Sequence, residues 1–249
     1  MIIFTIKTGL FSINHLLFTL ISLSIVALLF LLFYKKELNT IKKSLKYFGI
    51  FIILFEILKI LLNCFVFKID NNLTNIVPLY YCSLFIYFFI PTFFKNKAVF
   101  DIGVILLKYY GFVPGLCFIL YPITAVNYHP LFSFQSLHSL IFHSLMLFIS
   151  LILLYKDAQP LNKKGFLAYT IITLSFCLIA YIFNIFANTN YMFINYPSSD
   201  NDILLFIKKI SGFFYPFIIV FFQTLGSLLL TLLVQQIFIK KENKNHDTI

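Results

Sequence analysis

The chain has 249 residues, of which 61% are hydrophobic and 11% are charged, and its formal net charge is +10. A soluble domain is about half apolar and about a quarter charged, so this composition excludes an ordinary soluble fold and indicates an integral membrane protein. All 19 basic residues are lysines, and 17 of them lie in short segments beside apolar runs. That arrangement is typical of membrane orientation and not of a nucleic-acid-binding face. We therefore predict membrane phospholipids, and no nucleic acid, as partners, and a location in the cell membrane.

Seven segments are long and apolar enough to predict spanning helices, which need roughly 20 residues each. In chain order they are His15–Tyr34, Tyr47–Phe67, Pro78–Phe94, Val99–Leu120, Ser133–Tyr155, Phe166–Ala187 and Gly212–Phe238. The third is short and has Pro91 near its end, and the fourth contains Gly111, Pro114 and Gly115, which predict a kink. We expect an all-α polytopic membrane protein, a seven-transmembrane-helix bundle that residues 1–249 form as a single domain.

The lysines predict how this bundle is oriented. Thirteen of them flank the predicted spans on one side and four on the other. The lysine-rich side is expected to be cytoplasmic, which places the N-terminus outside and the C-terminus inside. The longest outer connection, Asn188–Ser211, contains the apolar stretch Ile203–Ile207. This stretch predicts a helix that lies on the outer membrane surface.

Polar side chains recur along one face of several predicted helices. Such a stripe is Ser136, Ser139, His143 and Ser150 in the fifth helix; others are Glu56, Lys59 and Asn63, or His15, Thr19 and Ser22, or Thr173, Cys177, Tyr181 and Asn184. Polar groups are costly in hydrocarbon. Hydrogen bonds between helices explain a single stripe, whereas several stripes together favour a polar cavity. With the predicted orientation, this cavity opens outward.

The fifth helix carries two histidines with different predicted environments. His138 and His143 are five residues apart, or about 140° around the helix, so they cannot form a metal-binding pair one turn apart. His143 lies on the serine stripe, whereas His138 has mostly apolar neighbours. We predict that His143 is the inward, functional histidine; a buried structural histidine is the alternative. The four cysteines lack the spacing of a zinc site or a disulfide framework, and we predict no metal and no cofactor.

The order of several short motifs is similar to that of a known family. Pro78-Leu-Tyr-Tyr-Cys82-Ser83 opens the third span, Tyr121-Pro122 ends the fourth, Phe142-His143 lies in the fifth, and Asn184 with Asn190-Tyr191-Met192-Phe193 closes the sixth. The chain thereby resembles the YwaF-like family of bacterial integral membrane proteins, which is related to a vertebrate transmembrane acyltransferase of ether-phospholipid remodelling. The resemblance implies seven helices and a Cys nucleophile with a His base that moves fatty acyl chains between lipids.

Carried over by position, the resemblance implies Cys82 as the nucleophile and His143 as the base. A thiolate attacks the acyl carbonyl after an imidazole takes its proton, and Tyr80, Asn184 or Asn190 could donate to the developing oxyanion. The other residues predicted to bind substrate in the cavity are Ser139, Tyr181, Tyr191, Glu56, Lys59 and His15.

Two other functions remain open on the sequence. Glu56 with Lys59, and Asp101 with Lys108, are charge pairs inside predicted spans, which would suit a transporter or a small-molecule-binding membrane protein without catalysis. A structural envelope protein with a tightly packed interior is the other alternative.

Overall fold

The structure, a computed structural model, describes residues 9–67, 73–126, 129–157 and 159–246, and every regular element in these ranges is helical. The long helices are α1 (Ile13–Phe33), α2 (Leu38–Leu61, continued by a π-helical turn at Leu62–Val66), α5 (Lys97–Tyr110), α8 (Phe134–Lys156), α9 (Lys163–Phe186) and α12 (Ser227–His246). The shorter ones are α3 (Leu73–Ile76), α4 (Leu84–Phe88, continued by a 3₁₀ turn at Ile90–Phe93), α6 (Phe112–Leu120), α7 (Ile123–Val126), α10 (Asp202–Ser211) and α11 (Tyr215–Phe221, continued by a π-helical turn at Phe222–Gly226).

Six helical stretches among the described residues are long and apolar enough to cross a membrane: Ile13–Phe33, Leu38–Val66, Lys97–Leu120, Phe134–Lys156, Lys163–Phe186 and Asp202–Ile239. To within one residue at either end, they cover six of the seven predicted spans. The agreement has a simple cause, because a backbone in hydrocarbon must satisfy its own hydrogen bonds, and a long apolar segment does so as a helix. The chain is thus an all-helical, multi-pass membrane protein.

The helix predicted over Pro78–Phe94 is much shorter than expected. Turns occupy residues 80–83, and the helical part, Leu84–Phe93, has only 10 residues. At 1.5 Å per residue this helix is about 15 Å long, roughly half the thickness of the hydrocarbon core. Pro91 lies inside its final 3₁₀ turn, where the missing N–H of proline costs little.

α8 is the central helix, since 78% of its most apolar window is buried inside the protein. The α5–α6 stretch packs tightly against it and breaks at Gly111, as the glycine and proline content predicted. Small residues permit the close approach: a Cβ added at Gly115 would lie 3.0 Å from the Leu147 backbone nitrogen, and one at Gly111 2.9 Å from the Met146 carbonyl oxygen. The backbones of the α5–α6 stretch and of α8 therefore come close together at Met146 and Leu147.

Replacing Gly115 by Ala should destabilise the protein by about 1–3 kcal/mol, because the added methyl group meets rigid backbone and forces the two helices apart. Thermal unfolding in detergent is the measurement. Gly9→Ala is the matched control, since nothing lies within 4 Å of a Cβ at Gly9. Equal melting temperatures for the two variants would contradict the close packing of α6 on α8.

Candidate functional site

A polar pocket of about 250 Å³ lies between α2, α8 and the segment that precedes α4. Its lining combines charged, hydroxyl and amide side chains: Glu56, Lys59, Asn63, Thr74, Pro78, Tyr80, Ser83, His129, Gln135, His138 and Ser139. A pocket with so many hydrogen-bonding groups stands out in an apolar helical protein, because each such group is costly to bury without a partner. We therefore take this pocket as the candidate functional site.

Three charged or titratable side chains meet on one wall of the pocket. The imidazole Nε2 of His138 lies 3.1 Å from Oε2 of Glu56, and the Lys59 ammonium donates a hydrogen bond to Oε1 of the same carboxylate. Glu56 is 5% exposed and His138 is 4% exposed, so both are shielded from solvent. A buried carboxylate is stabilised by direct contact with cationic or hydrogen-bonding partners. Here Lys59 is hydrogen-bonded to one oxygen, and the His138 imidazole lies within ion-pair distance of the other.

Aromatic rings hold the imidazole of His138 in place. The ring stacks on Phe55 with centroids 4.5 Å apart and an interplanar angle of 29°, and it lies parallel to Phe142 at 5.9 Å. Phe55 precedes Glu56 on α2, so one helix provides both the ring and the carboxylate that orient His138. Such packing reduces the number of rotamers open to the imidazole and fixes which of its nitrogens meets the carboxylate.

His143, the histidine favoured by the sequence, has a different environment. Its Nδ1 donates to the Ser139 carbonyl oxygen at 2.7 Å, and its ring stacks flat on Phe118, with centroids 3.5 Å apart and an interplanar angle of 6°. His143 is buried, but it is not among the residues that line the pocket. The structure thus places His138 on the pocket wall and turns His143 toward α6.

Cys82 lies in the turn between Tyr80 and Ser83, which both line the pocket. Its half-buried side chain packs against the main apolar core. In the described parts of the chain, no hydrogen bond joins Cys82 to His143 or to His138. The predicted nucleophile and the predicted base are thus not paired in this conformation, although Cys82 belongs to the segment that forms one side of the pocket.

Asn184 and Tyr191 form a clamp at the end of α9 and do not line the pocket. The Asn184 amide accepts hydrogen bonds from the Tyr191 backbone N–H at 2.6 Å and from the Thr189 hydroxyl at 3.0 Å, and it donates to the Tyr191 carbonyl at 3.1 Å. The clamped loop contains left-handed backbone at Asn188, Met192 and Phe193. That backbone conformation is energetically unfavourable for non-glycine residues, so the hydrogen bonds of the clamp stabilise the loop. Asn190 is likewise occupied, donating to the Tyr196 carbonyl at 2.8 Å.

The clamp reaches the pocket through one ring contact. The Tyr191 ring lies edge-to-face with Tyr80, with centroids 5.4 Å apart, and the Tyr191 hydroxyl donates to the Leu73 carbonyl at 2.7 Å. Tyr80 lines the pocket, so Tyr191, which does not line it, supports the position of the Tyr80 ring.

Two further predicted site residues lie elsewhere. The Nδ1 of His15 accepts from the Phe11 backbone N–H at 3.0 Å, and its Nε2 donates to the Leu120 carbonyl at 3.2 Å, so this imidazole joins the start of α1 to the end of α6. Tyr181 is 45% exposed on the outer face of α9. Of the predicted site residues, the pocket therefore brings together Glu56, Lys59, Tyr80 and Ser139.

His138 lines the pocket but was not among the predicted site residues, yet the sequence holds a signal for it. Glu56 lies 18 residues after the start of α2, and His138 lies 18 residues before the end of α8. In antiparallel neighbouring helices these positions share one depth, and a buried carboxylate needs a partner at its own depth. Within the described ranges no cluster of three or more histidine, cysteine or acidic side chains could hold a metal ion.

Replacing Asn184 by Ala should destabilise the protein by about 2 kcal/mol or more, because it leaves the Tyr191 N–H and carbonyl without their side-chain partner. Faster hydrogen–deuterium exchange across residues 188–193 should accompany the lower melting temperature. Tyr181→Ala on the same helix is the control and should change stability by less than about 0.5 kcal/mol. Unchanged exchange in the Asn184 variant would contradict the clamp.

The similarity of this chain to known proteins supports its assignment as a membrane protein. A protein-family model, described as the TMEM164 family, matches residues 10–234, which is most of the chain and includes the whole pocket. No curated protein and no solved structure matches the chain.

Proposed function

Because the chain belongs to the TMEM164 family of transmembrane proteins, we propose that it acts on membrane phospholipids as an acyltransferase or acyl hydrolase. The observation that carries the proposal is the His138–Glu56 pair at 3.1 Å in a pocket with space for a reacting group. An imidazole oriented by a carboxylate is the arrangement that general-base catalysis uses to activate a nucleophile.

The nucleophile in this proposal is Cys82, as the sequence resemblance implies, and the base is His138 in place of His143. His143 already donates from Nδ1 to its own helix and has its ring covered by Phe118, whereas His138 lines the pocket. Cys82 lies between two pocket residues, and the proposal requires its turn to rotate so that Sγ reaches the pocket wall. Cys82 and His138 are unpaired in this conformation, and in this proposal their hydrogen bond forms when substrate binds.

The reaction balances with these residues alone. His138 takes the thiol proton, and the thiolate attacks the ester carbonyl of a phospholipid to form a tetrahedral oxyanion. The lysolipid alcohol leaves with the proton from His138, and an acyl-thioester on Cys82 remains. A second lipid hydroxyl, or water, then attacks the thioester as it gives its proton to His138. The C–S bond breaks, the new ester or the free fatty acid is released, and His138 returns the proton to the Cys82 thiolate. Of the three donors suggested for the oxyanion, Tyr80 is the one that lines the pocket. The amides of Asn184 and Asn190 are bound to the loop.

The test is covalent labelling of the reconstituted protein with a lipid-like thiol-reactive probe, with the labelled cysteine located by mass spectrometry. Labelling should occur at Cys82 and vanish in Cys82→Ala. His138→Gln should slow it by about 10²-fold or more, since it removes the base, and Glu56→Gln should slow it less. His143→Gln and Cys117→Ala are the matched controls, and each should label within about threefold of the unaltered protein.

Two outcomes would overturn the assignment. Labelling that depends on His143 and not on His138 would restore His143 as the base and make the pocket pair structural. Absence of labelling at Cys82 would contradict acyl transfer and favour the alternative of a transport or binding protein. The supporting observation for that alternative is the Glu56–Lys59 ion pair inside a span. A structural envelope role would follow if the pocket variants also left ligand binding and cell growth unchanged.

We further propose seven membrane crossings in the cell membrane, with the N-terminus outside and the C-terminus inside. Contacts along α2 support a crossing by residues 78–93: Tyr80 shares the pocket with Glu56, whereas Phe89 packs on Gly49, which lies two turns nearer the start of α2. This segment therefore runs antiparallel to α2. The distribution of the lysines supports the orientation.

Epitope tags at the two termini test this topology. In intact cells, external protease should remove an N-terminal tag and spare a C-terminal one, because an odd number of crossings separates the termini. In inverted vesicles the sensitivities should exchange. Two tags with the same sensitivity in intact cells would mean that residues 78–93 turn back without crossing.

A further inference from the structure

The helix α10 presents an apolar face that no described part of the chain covers. None of its residues is buried, and Ile203, Phe206 and Ile210, spaced three and four apart on one face, are 54%, 62% and 68% exposed. Asn201 caps its start by accepting from the Leu204 N–H at 3.1 Å, so the helix is well formed without tertiary packing. A short amphipathic helix of this kind lies in the interface between water and lipid.

The geometry of the chain after α10 supports this location. Residues 202–239 form one helical stretch of 38 residues, about 57 Å if straight, which is nearly twice the hydrocarbon thickness. The stretch bends at Gly212, which has a φ of 54° and a ψ of −117°. Glycine adopts this backbone conformation readily, and few other residues do. α10 therefore turns away from the spanning part at an elbow formed by Lys208–Tyr215.

An open groove of about 550 Å³ lies at this elbow. Apart from Ser211, its lining is apolar, and it runs from Ile210 at the end of α10 through Phe214 and Phe217 to Phe221 and Phe222 on the spanning helix. It follows the direction that an acyl chain takes from the interface toward the bilayer centre.

Lys208 and Lys209 directly precede Ile210 and Ser211, the first residues of the groove lining. Lys208 donates to the Gly212 carbonyl at 3.0 Å and its ammonium lies 5.5 Å from the centroid of the Tyr215 ring, so this charge is held at the elbow. Lys209 is exposed beside it. The acidic residue of α10, Asp202, is at the opposite end of the helix. The polar end of the groove is thus positively charged.

We propose that the elbow binds an anionic phospholipid, with the phosphate at Lys208 and Lys209 and one acyl chain in the groove. Each lysine near a membrane surface favours an anionic headgroup by about fivefold in binding. Lys208 is already engaged with Gly212, so we expect a preference of about fivefold over a zwitterionic lipid. This site is separate from the polar pocket and does not depend on acyl transfer.

The sequence contains no tryptophan, so Phe217→Trp introduces a single fluorescent reporter into the groove. The variant is reconstituted in phosphatidylcholine vesicles that contain a small fraction of either brominated phosphatidylglycerol or brominated phosphatidylcholine, since bromine quenches tryptophan on contact. We expect an apparent association about fivefold stronger for the brominated phosphatidylglycerol.

Charge and position controls make the result specific. Adding Lys208→Gln and Lys209→Gln should abolish the preference, whereas Lys163→Gln with Lys164→Gln, another exposed lysine pair at a helix end, should keep it. Leu229→Trp, a reporter 52% exposed on α12, should show no preference. Equal quenching by both lipids at Phe217→Trp, or a preference that survives loss of Lys208 and Lys209, would overturn the proposal.

Discussion

The buried carboxylate of Glu56 is the constraint on which the site depends. A carboxylate inside an apolar bundle is stable only where partners meet it directly, and here Lys59 meets one oxygen and His138 lies 3.1 Å from the other. The second contact joins α2 to α8, so it also sets the register of these helices. A pocket forms beside the ion pair because the polar side chains that satisfy it cannot pack as closely as the apolar residues around them.

At the opposite end of the bundle, backbone carbonyl groups stabilise a second buried charge. The buried ammonium of Lys108 donates to the carbonyl oxygens of Asp157 and Gln159 and lies 3.8 Å from the Asp157 carboxylate. Aromatic packing separates the two polar ends, with Phe148 of α8 edge-to-face against Phe33 and Phe48 at 5.4 and 5.8 Å. These aromatic side chains lie between the two buried charged groups and pack three helices together at this level.

Much of the fold could be predicted because each part has a local cause. The apolar runs predict helices, and Gly111 predicts the break between α5 and α6. Among the residues of the polar stripes, Glu56, Lys59 and Ser139 line the pocket, whereas His143 and Tyr181 lie outside it. Asp101 was a plausible partner for Lys108, but Asp157 occupies that place. Helical periodicity indicates which residues share a face, and it does not indicate which neighbouring helix that face meets.

The sequence by itself determined that this protein lies in a lipid bilayer, that it is helical, and that it carries charges that need partners in the membrane. These properties follow from composition and from spacing along a single helix. Only the tertiary structure decided that His138 meets Glu56, that Asn184 holds a loop, and that the segment before α4 is too irregular to be a full helix. Contacts between helices depend on crossing angles and on close approaches such as Gly115 on Leu147, which arise when all the helices pack together.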